Sequence, residues 1–168
     1  AVIGHEMTHG FDDQGRQFDP DGNLRDWWTA EDAARYKERA AKVVAQFDGY
    51  TVAGNVPVNG KLTLGENIAD LGGLAVAFHA LQKARAGKPD PMIDGFTQEQ
   101  RFFLSYARVW RAVDRDEALV TRVKSDPHAP GRYRVIGPLS NLEEFARAFG
   151  CKAGDGMVRD EASRVRIW

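Results

Sequence analysis

Leu64, Ile68, Leu71, Ala75 and Phe78 recur at helical spacing in LGENIADLGGLAVAFHALQKAR, and the residues between them are apolar or small around nearly the whole circumference. A helix with so little face for water belongs in the centre of a domain, with other elements packed around it. It ends in the Ala84–Gly87 region, because Pro89 and Pro91 forbid continuation. Two carboxylates interrupt it. Glu66 and Asp70 share one stripe with Gly73 and Ala77, a row of small side chains that a neighbouring helix can approach closely. Carboxylates are seldom buried without partners. The competing reading, a surface acidic pair, fits poorly with the apolar surroundings.

The rest of the chain supplies the packing. Ile3, Met7 and Phe11 repeat at i, i+4, i+8, which predicts a short buried helix carrying His5 and His9 on another face. After the turn-forming run DPDGN, Thr29 caps a second helix that reaches about Phe47, with Tyr36, Ala40, Val43 and Phe47 as its core face. Asn59-Gly60, set between Val56/Val58 and Leu62/Leu64, predicts a small hairpin with a type I′ turn. Thr97 and Gln100 form a capping box for a fourth helix whose buried stripe is Phe102, Tyr106, Val109 and Val113. Asp116 to about Ser125 is a fifth helix. DPHAPGRYRVIGP reads as irregular, and Asn141 with Glu144 opens a last short helix ending near Gly150. The expected fold is one mainly α domain with a small β-hairpin.

Composition narrows the function classes. The formal net charge is −1 and Lys and Arg are scattered, so neither nucleic acid nor an anionic membrane surface is an expected partner. No apolar run approaches the roughly 20 residues of a membrane span, and no basic-then-apolar leader is present. The single cysteine, Cys151, excludes both an internal disulfide and a cysteine-built zinc cage, so any metal must be held by His, Asp and Glu. The start at Ala1, four residues before the first histidine, gives the expectation that the chain is part of a longer polypeptide.

The stretch VIGHEMTHGFDD supplies such ligands. On a helix, His5 and His9 lie one above the other and can present two imidazole nitrogens to one ion at about 2.0–2.1 Å. Glu6 projects about 100° around the helix, too far to ligate easily but within reach of a water on the metal. A short motif of this kind also arises by chance. A catalytic zinc needs a third protein ligand. The long H-E-x-x-H-x-x-G-x-x-H pattern fails, since Asp12 and Gly15 stand where glycine and histidine are required. Glu31 is explained by the first turn of its helix. Glu66 has no such explanation and is assigned as the third ligand, with Asp70 one turn on, placed to accept the other ring N–H of a ligating histidine.

Taken together, GHEMTHGFDDQG, LTLGENIADLGGL, DPHAPGRYRVIGPLSN and the terminal RVRIW resemble the C-terminal catalytic region of the neprilysin family of zinc endopeptidases, which includes the endothelin-converting enzymes. The resemblance runs over essentially the whole chain. It implies a thermolysin-like helical catalytic subdomain over residues 1–168, one zinc ion on His5, His9 and Glu66, and Glu6 as the catalytic base. Asp70 would support a ligand histidine. It further implies that His128 stabilises the transition state, that Asp126 orients His128, and that Arg134 hydrogen-bonds the substrate backbone. Asp12, one turn after His9, would support that ligand in the same way. His79 matches nothing catalytic.

Peptides are the implied substrates, and an extracytoplasmic location follows from the resemblance alone. Family members commonly pair a cysteine at the position of Cys151 with one just before the terminal tryptophan; Val165 stands there, so Cys151 is expected as a free thiol. The family's sheet lobe and large helical domain lie upstream of the motif, and that upstream part of the same polypeptide is an expected partner.

Overall fold

The computed structural model describes residues 1–167. Among the described residues, seven α-helices and a two-stranded sheet form in the order α1 (Val2–Thr8), α2 (Ala30–Asp48), β1 (Thr51–Val52), β2 (Val56–Pro57), α3 (Leu64–Arg85), α4 (Gln98–Val109), α5 (Asp116–Arg122), α6 (Gly131–Leu139) and α7 (Glu143–Phe149), with short 3₁₀ turns between some of them. Trp168, the last residue of the RVRIW motif, lies outside the described residues. None of the described helices is long and apolar enough to cross a membrane.

Helix α3 is the axis. On one side Ile68 and Leu71 join Tyr36, Ala40, Val43 and Phe47 of α2, with Val123, Val165 and Ile167. On the other, Leu74 and Phe78 pack with Phe103 and Tyr106 of α4 and Leu139 of α6. Two separate cores on one helix account for its apolar circumference. Helix α2 starts where Thr29 Oγ1 accepts from the Asp32 N–H, and the Thr97–Gln100 capping box of α4 is complete in both directions. Gly150 ends α7 in the left-handed conformation.

Helix α1 meets α3 backbone to backbone. A Cβ on Gly73 would lie 2.4 Å from the His5 backbone nitrogen, and one on Gly72 would lie 2.6 Å from Thr8 Oγ1. The glycines therefore set the closeness of the two helices. It is the Gly4 and Thr8 face of α1 that is buried; Ile3, Met7 and Phe11, expected inside, are 79%, 67% and 45% exposed.

Four further expectations change. The hairpin turns at Gly54 and Asn55, both left-handed, rather than at Asn59-Gly60. Gly60 instead presses on the end of α2, where its N–H donates to Asp48 Oδ1 at 2.7 Å and a Cβ would lie 2.3 Å from Val44 O. In α4 the inward residues are Phe103 and Tyr106, while Val109 is exposed on the helix and Val113 lies beyond its end and is exposed. The run after Pro130 is not irregular but forms α6, despite Gly137 and Pro138. Asn141 does not cap α7: its side chain is buried, donating to Gln46 Oε1 and Gly137 O and accepting from the Val165 N–H. Cys151 is a free thiol and Val165 is buried.

Candidate metal centre

Three elements bring the site together. Helix α1 carries His5 and Glu6 and continues through His9 in a short 3₁₀ turn; α3 carries Glu66 and Asp70; the segment leading into α6 carries Asp126 and His128, and α6 itself carries Arg134. Each histidine has one ring nitrogen fixed from behind. His5 Nδ1 lies 2.9 Å from Asp70 Oδ1, and His9 Nδ1 lies 2.7 Å from Asp12 Oδ2. Asp12 is itself held by the Gln14 and Gly15 N–H groups at 2.8 and 2.7 Å. With the Nδ1 positions facing carboxylates, both Nε2 lone pairs turn toward a common centre.

That centre has the dimensions of a small cation site. His5 Nε2 and His9 Nε2 are 3.1 Å apart, His5 Nε2 lies 3.2 Å from Glu66 Oε2, and His9 Nε2 lies 3.4 Å from Glu66 Oε1. Ligands about 2.0–2.2 Å from a tetrahedral ion stand about 3.3–3.6 Å from each other. Two imidazole lone pairs and a carboxylate facing one another repel unless a proton or a cation lies among them. Two nitrogen donors and one oxygen donor suit zinc. Glu31 is remote from this role, ion-paired to Arg35 on the surface.

Behind these three side chains, Arg134 is buried. Its Nε donates to Asp70 Oδ2 at 2.8 Å, and its Nη2 donates to Asp70 Oδ1 at 2.9 Å and to Glu66 Oε2 at 3.2 Å. The Trp110 ring covers the guanidinium at 3.9 Å, and Tyr106 donates to the Arg134 carbonyl at 2.9 Å. Burial pulls the Arg134 pKa down, but Asp70 and Glu66 more than restore it. The hydrogen bond to Asp70 raises the His5 pKa above its ordinary value, against the opposing effect of burial. Burial, with Asp70 second, holds the Tyr106 hydroxyl well above its usual range, so it stays a neutral donor.

At the mouth, His128 Nε2 lies 3.3 Å from Glu66 Oε1, and Asp126 Oδ1 meets both the backbone N–H and Nδ1 of His128, at 2.9 and 2.8 Å. The His128 N–H leads the interactions that hold the Asp126 carboxyl below the usual range. Glu6 is exposed and faces the same cleft, which has a volume of about 490 Å³ and is lined also by His5, Glu66, His128 and Arg134. Its far wall is α4. Trp110 and the wall residue Arg101 had no marker in the sequence, since neither belongs to a spacing pattern that signals a site; only the turn of α4 toward the metal centre reveals them. His79 is exposed and does not line this cleft.

Comparison with known proteins decides the family. Residues 1–165 match the model of peptidase family M13. This chain belongs to that family. An endothelin-converting enzyme homolog from Locusta migratoria is 47% identical over the whole chain, and endothelin-converting enzyme 1 from Bos taurus is 48% identical. The chain covers 23% and 22% of those relatives, so it spans less than a quarter of their length. Among solved structures, the Mycobacterium tuberculosis zinc metalloprotease ZMP1 in complex with an inhibitor superposes on 99% of the chain with a TM-score of 0.95 at 43% identity, the match covering 26% of ZMP1. PEPO from Lactobacillus rhamnosis follows the same course with a TM-score of 0.85 at 38% identity, covering 99% of this chain and 25% of PEPO. The helical subdomain is therefore that of the M13 peptidases.

Proposed function

We propose that residues 1–168 are the C-terminal part of the catalytic domain of a zinc metalloendopeptidase that cleaves peptides and small proteins. The observation that carries this reading is the convergence of His5 Nε2, His9 Nε2 and Glu66 on one point, with each histidine oriented from behind by a carboxylate. His5, His9 and Glu66 would hold the ion, and Asp70 and Asp12 would fix the two imidazoles. Zinc, when bound, supplies a Lewis acid that polarises a carbonyl and makes water more acidic.

The remaining steps belong to the chain. Glu6, exposed in the cleft beside His5, takes the proton of the attacking water and passes it to the leaving amine. His128, turned by Asp126, donates from Nε2 to the oxygen on which negative charge develops. Arg134 keeps Nη1 outside its hydrogen bonds to Asp70 and Glu66, and that nitrogen is the donor for a substrate carbonyl.

Glu6→Gln in the full-length protein tests the reading. The expected result is one zinc per chain, retained as in the unaltered protein, with peptide cleavage reduced by at least about a hundredfold. A variant with near-normal cleavage would remove Glu6 from this role. A second reading, a zinc-binding module without hydrolytic activity, applies to residues 1–168 taken alone, and the exposure of Ile3, Met7 and Phe11 beside the site favours it for that piece. Assaying the piece beside the full-length protein separates the two.

A further inference from the structure

Arg101, Ser105 and Val109 recur every fourth residue along α4 and line the cleft that contains His5, Glu66 and His128. Arg101 is partly buried in that wall, and among the described residues its guanidinium has neither an ion pair nor a side-chain hydrogen bond. Nearby wall residues Leu81, Gln98 and Phe102 bring no charge. The other arginine of the cleft, Arg134, is by contrast ion-paired to Asp70 and Glu66 through Nε and Nη2. A guanidinium offers five donors in a planar fork and accepts nothing, and partial removal from water strengthens what it binds. A planar carboxylate is the group that matches it on both prongs.

The position along the cleft can be measured on the helix. Nine residues separate Arg101 from Trp110, about 13 Å of helix axis, and Trp110 stacks on the guanidinium that holds Glu66. An extended peptide advances about 3.3 Å per residue.

We propose, on the peptidase reading above, that Arg101 determines specificity by binding a carboxylate of the peptide about two to four residues from the cleaved bond. That carboxylate is either an acidic side chain or the free C-terminus of the substrate; the test distinguishes them.

Fluorogenic peptides carrying Glu, Gln or Lys at each of four positions on either side of one cleavable bond, with free or amidated C-termini, are compared on the zinc-loaded full-length protein and its Arg101→Gln and Arg101→Glu variants. The expected outcome is one position at which Glu exceeds Gln in kcat/KM by roughly tenfold, a preference that falls toward one in Arg101→Gln and turns toward Lys in Arg101→Glu. A terminal carboxylate would show instead as a tenfold loss on amidation, abolished in Arg101→Gln. Because each ratio compares two peptides on one protein, a general loss of activity in a variant cancels. Ratios of one throughout for the unaltered protein, or ratios unchanged in Arg101→Gln, overturn the proposal.

If no peptide is cut, the peptidase reading fails, and fluorescence anisotropy of the same labelled peptides reads Arg101 directly. Tighter binding of the acidic peptide that is lost in Arg101→Gln supports the role. Equal binding of acidic and neutral peptides overturns it.

Discussion

His5 sits between two demands. Its hydrogen bond to Asp70 raises its pKa above 6.5, against the pull of burial, so in the metal-free protein the imidazolium–carboxylate pair stabilises the fold. That contribution is fully present below 6.5 and is lost as pH rises through the raised value, because the folded state then releases the extra proton. Metal binding has the opposite sign, since the ion takes a neutral imidazole and must displace that proton. Zinc affinity is therefore expected to increase as pH rises from below 6.5 through the raised His5 value, with proton release on binding. Calorimetric titration in buffers of different ionisation enthalpy reads both. Asp70→Asn lowers affinity at neutral pH by about tenfold to a hundredfold and moves the pH dependence toward lower pH. An affinity flat across this range would contradict the coupling. The candidate ligands were legible because an i, i+4 pair and an acidic stripe on an apolar helix declare themselves in a few residues. His128, Asp126 and Arg134 were legible only through the family resemblance: Asp126 and His128 pair locally in a run without helical spacing, and what positions Arg134 is a carboxylate 64 residues away.

At the scale of elements, the glycines of α3 place the histidines. With the Gly73 Cα against the backbone of α1, an alanine there must push His5 away from Glu66, since its Cβ would lie 2.4 Å from the His5 nitrogen. Gly73→Ala is expected to destabilise the protein by about 1–3 kcal/mol and to weaken zinc binding as well. Gly10→Ala is the control, because nothing lies within 4 Å of its Cβ, and its effect should stay within about 0.5 kcal/mol. Thermal denaturation with and without zinc measures both; equal behaviour of the two variants would mean that α1 adjusts freely. The same contact explains a failure of periodicity. Ile3, Met7 and Phe11 do form a stripe, but a stripe says which residues share a face and not which face the neighbour takes. Gly4 and Thr8 won the contact because only small side chains fit against Gly72 and Gly73. Helix α6 was hidden for a related reason. Gly131, Gly137 and Pro138 read locally as breakers, yet Gly137 is where Phe47 packs, with a Cβ there only 2.4 Å from the ring.

Across the whole molecule, Ile3, Met7 and Phe11 leave a row of large apolar side chains exposed. Ile3 and Met7 follow one another along one side of α1, Phe11 lies in the 3₁₀ turn after it, and Phe11 meets the half-exposed Trp27 with ring centroids 6.5 Å apart. A row of large apolar side chains beside a metal centre is unusual for a surface in contact with water. The chain spans 22–23% of the length of the relatives it matches, and on the proposal that it is part of a longer polypeptide the remainder would cover this face. The pair Ile3→Ser and Met7→Ser tests that directly. In residues 1–168 alone, where both side chains already face water, the substitutions should change stability by no more than about 0.5 kcal/mol each and reduce binding of an apolar dye. In the full-length protein, where the face is expected to be covered, they should cost about 1.5–3 kcal/mol per side chain buried. Denaturant unfolding of both forms gives the comparison. A small effect in both would mean that the face stays in contact with water, whereas a large effect only in the longer form identifies it as a face that the rest of the polypeptide covers.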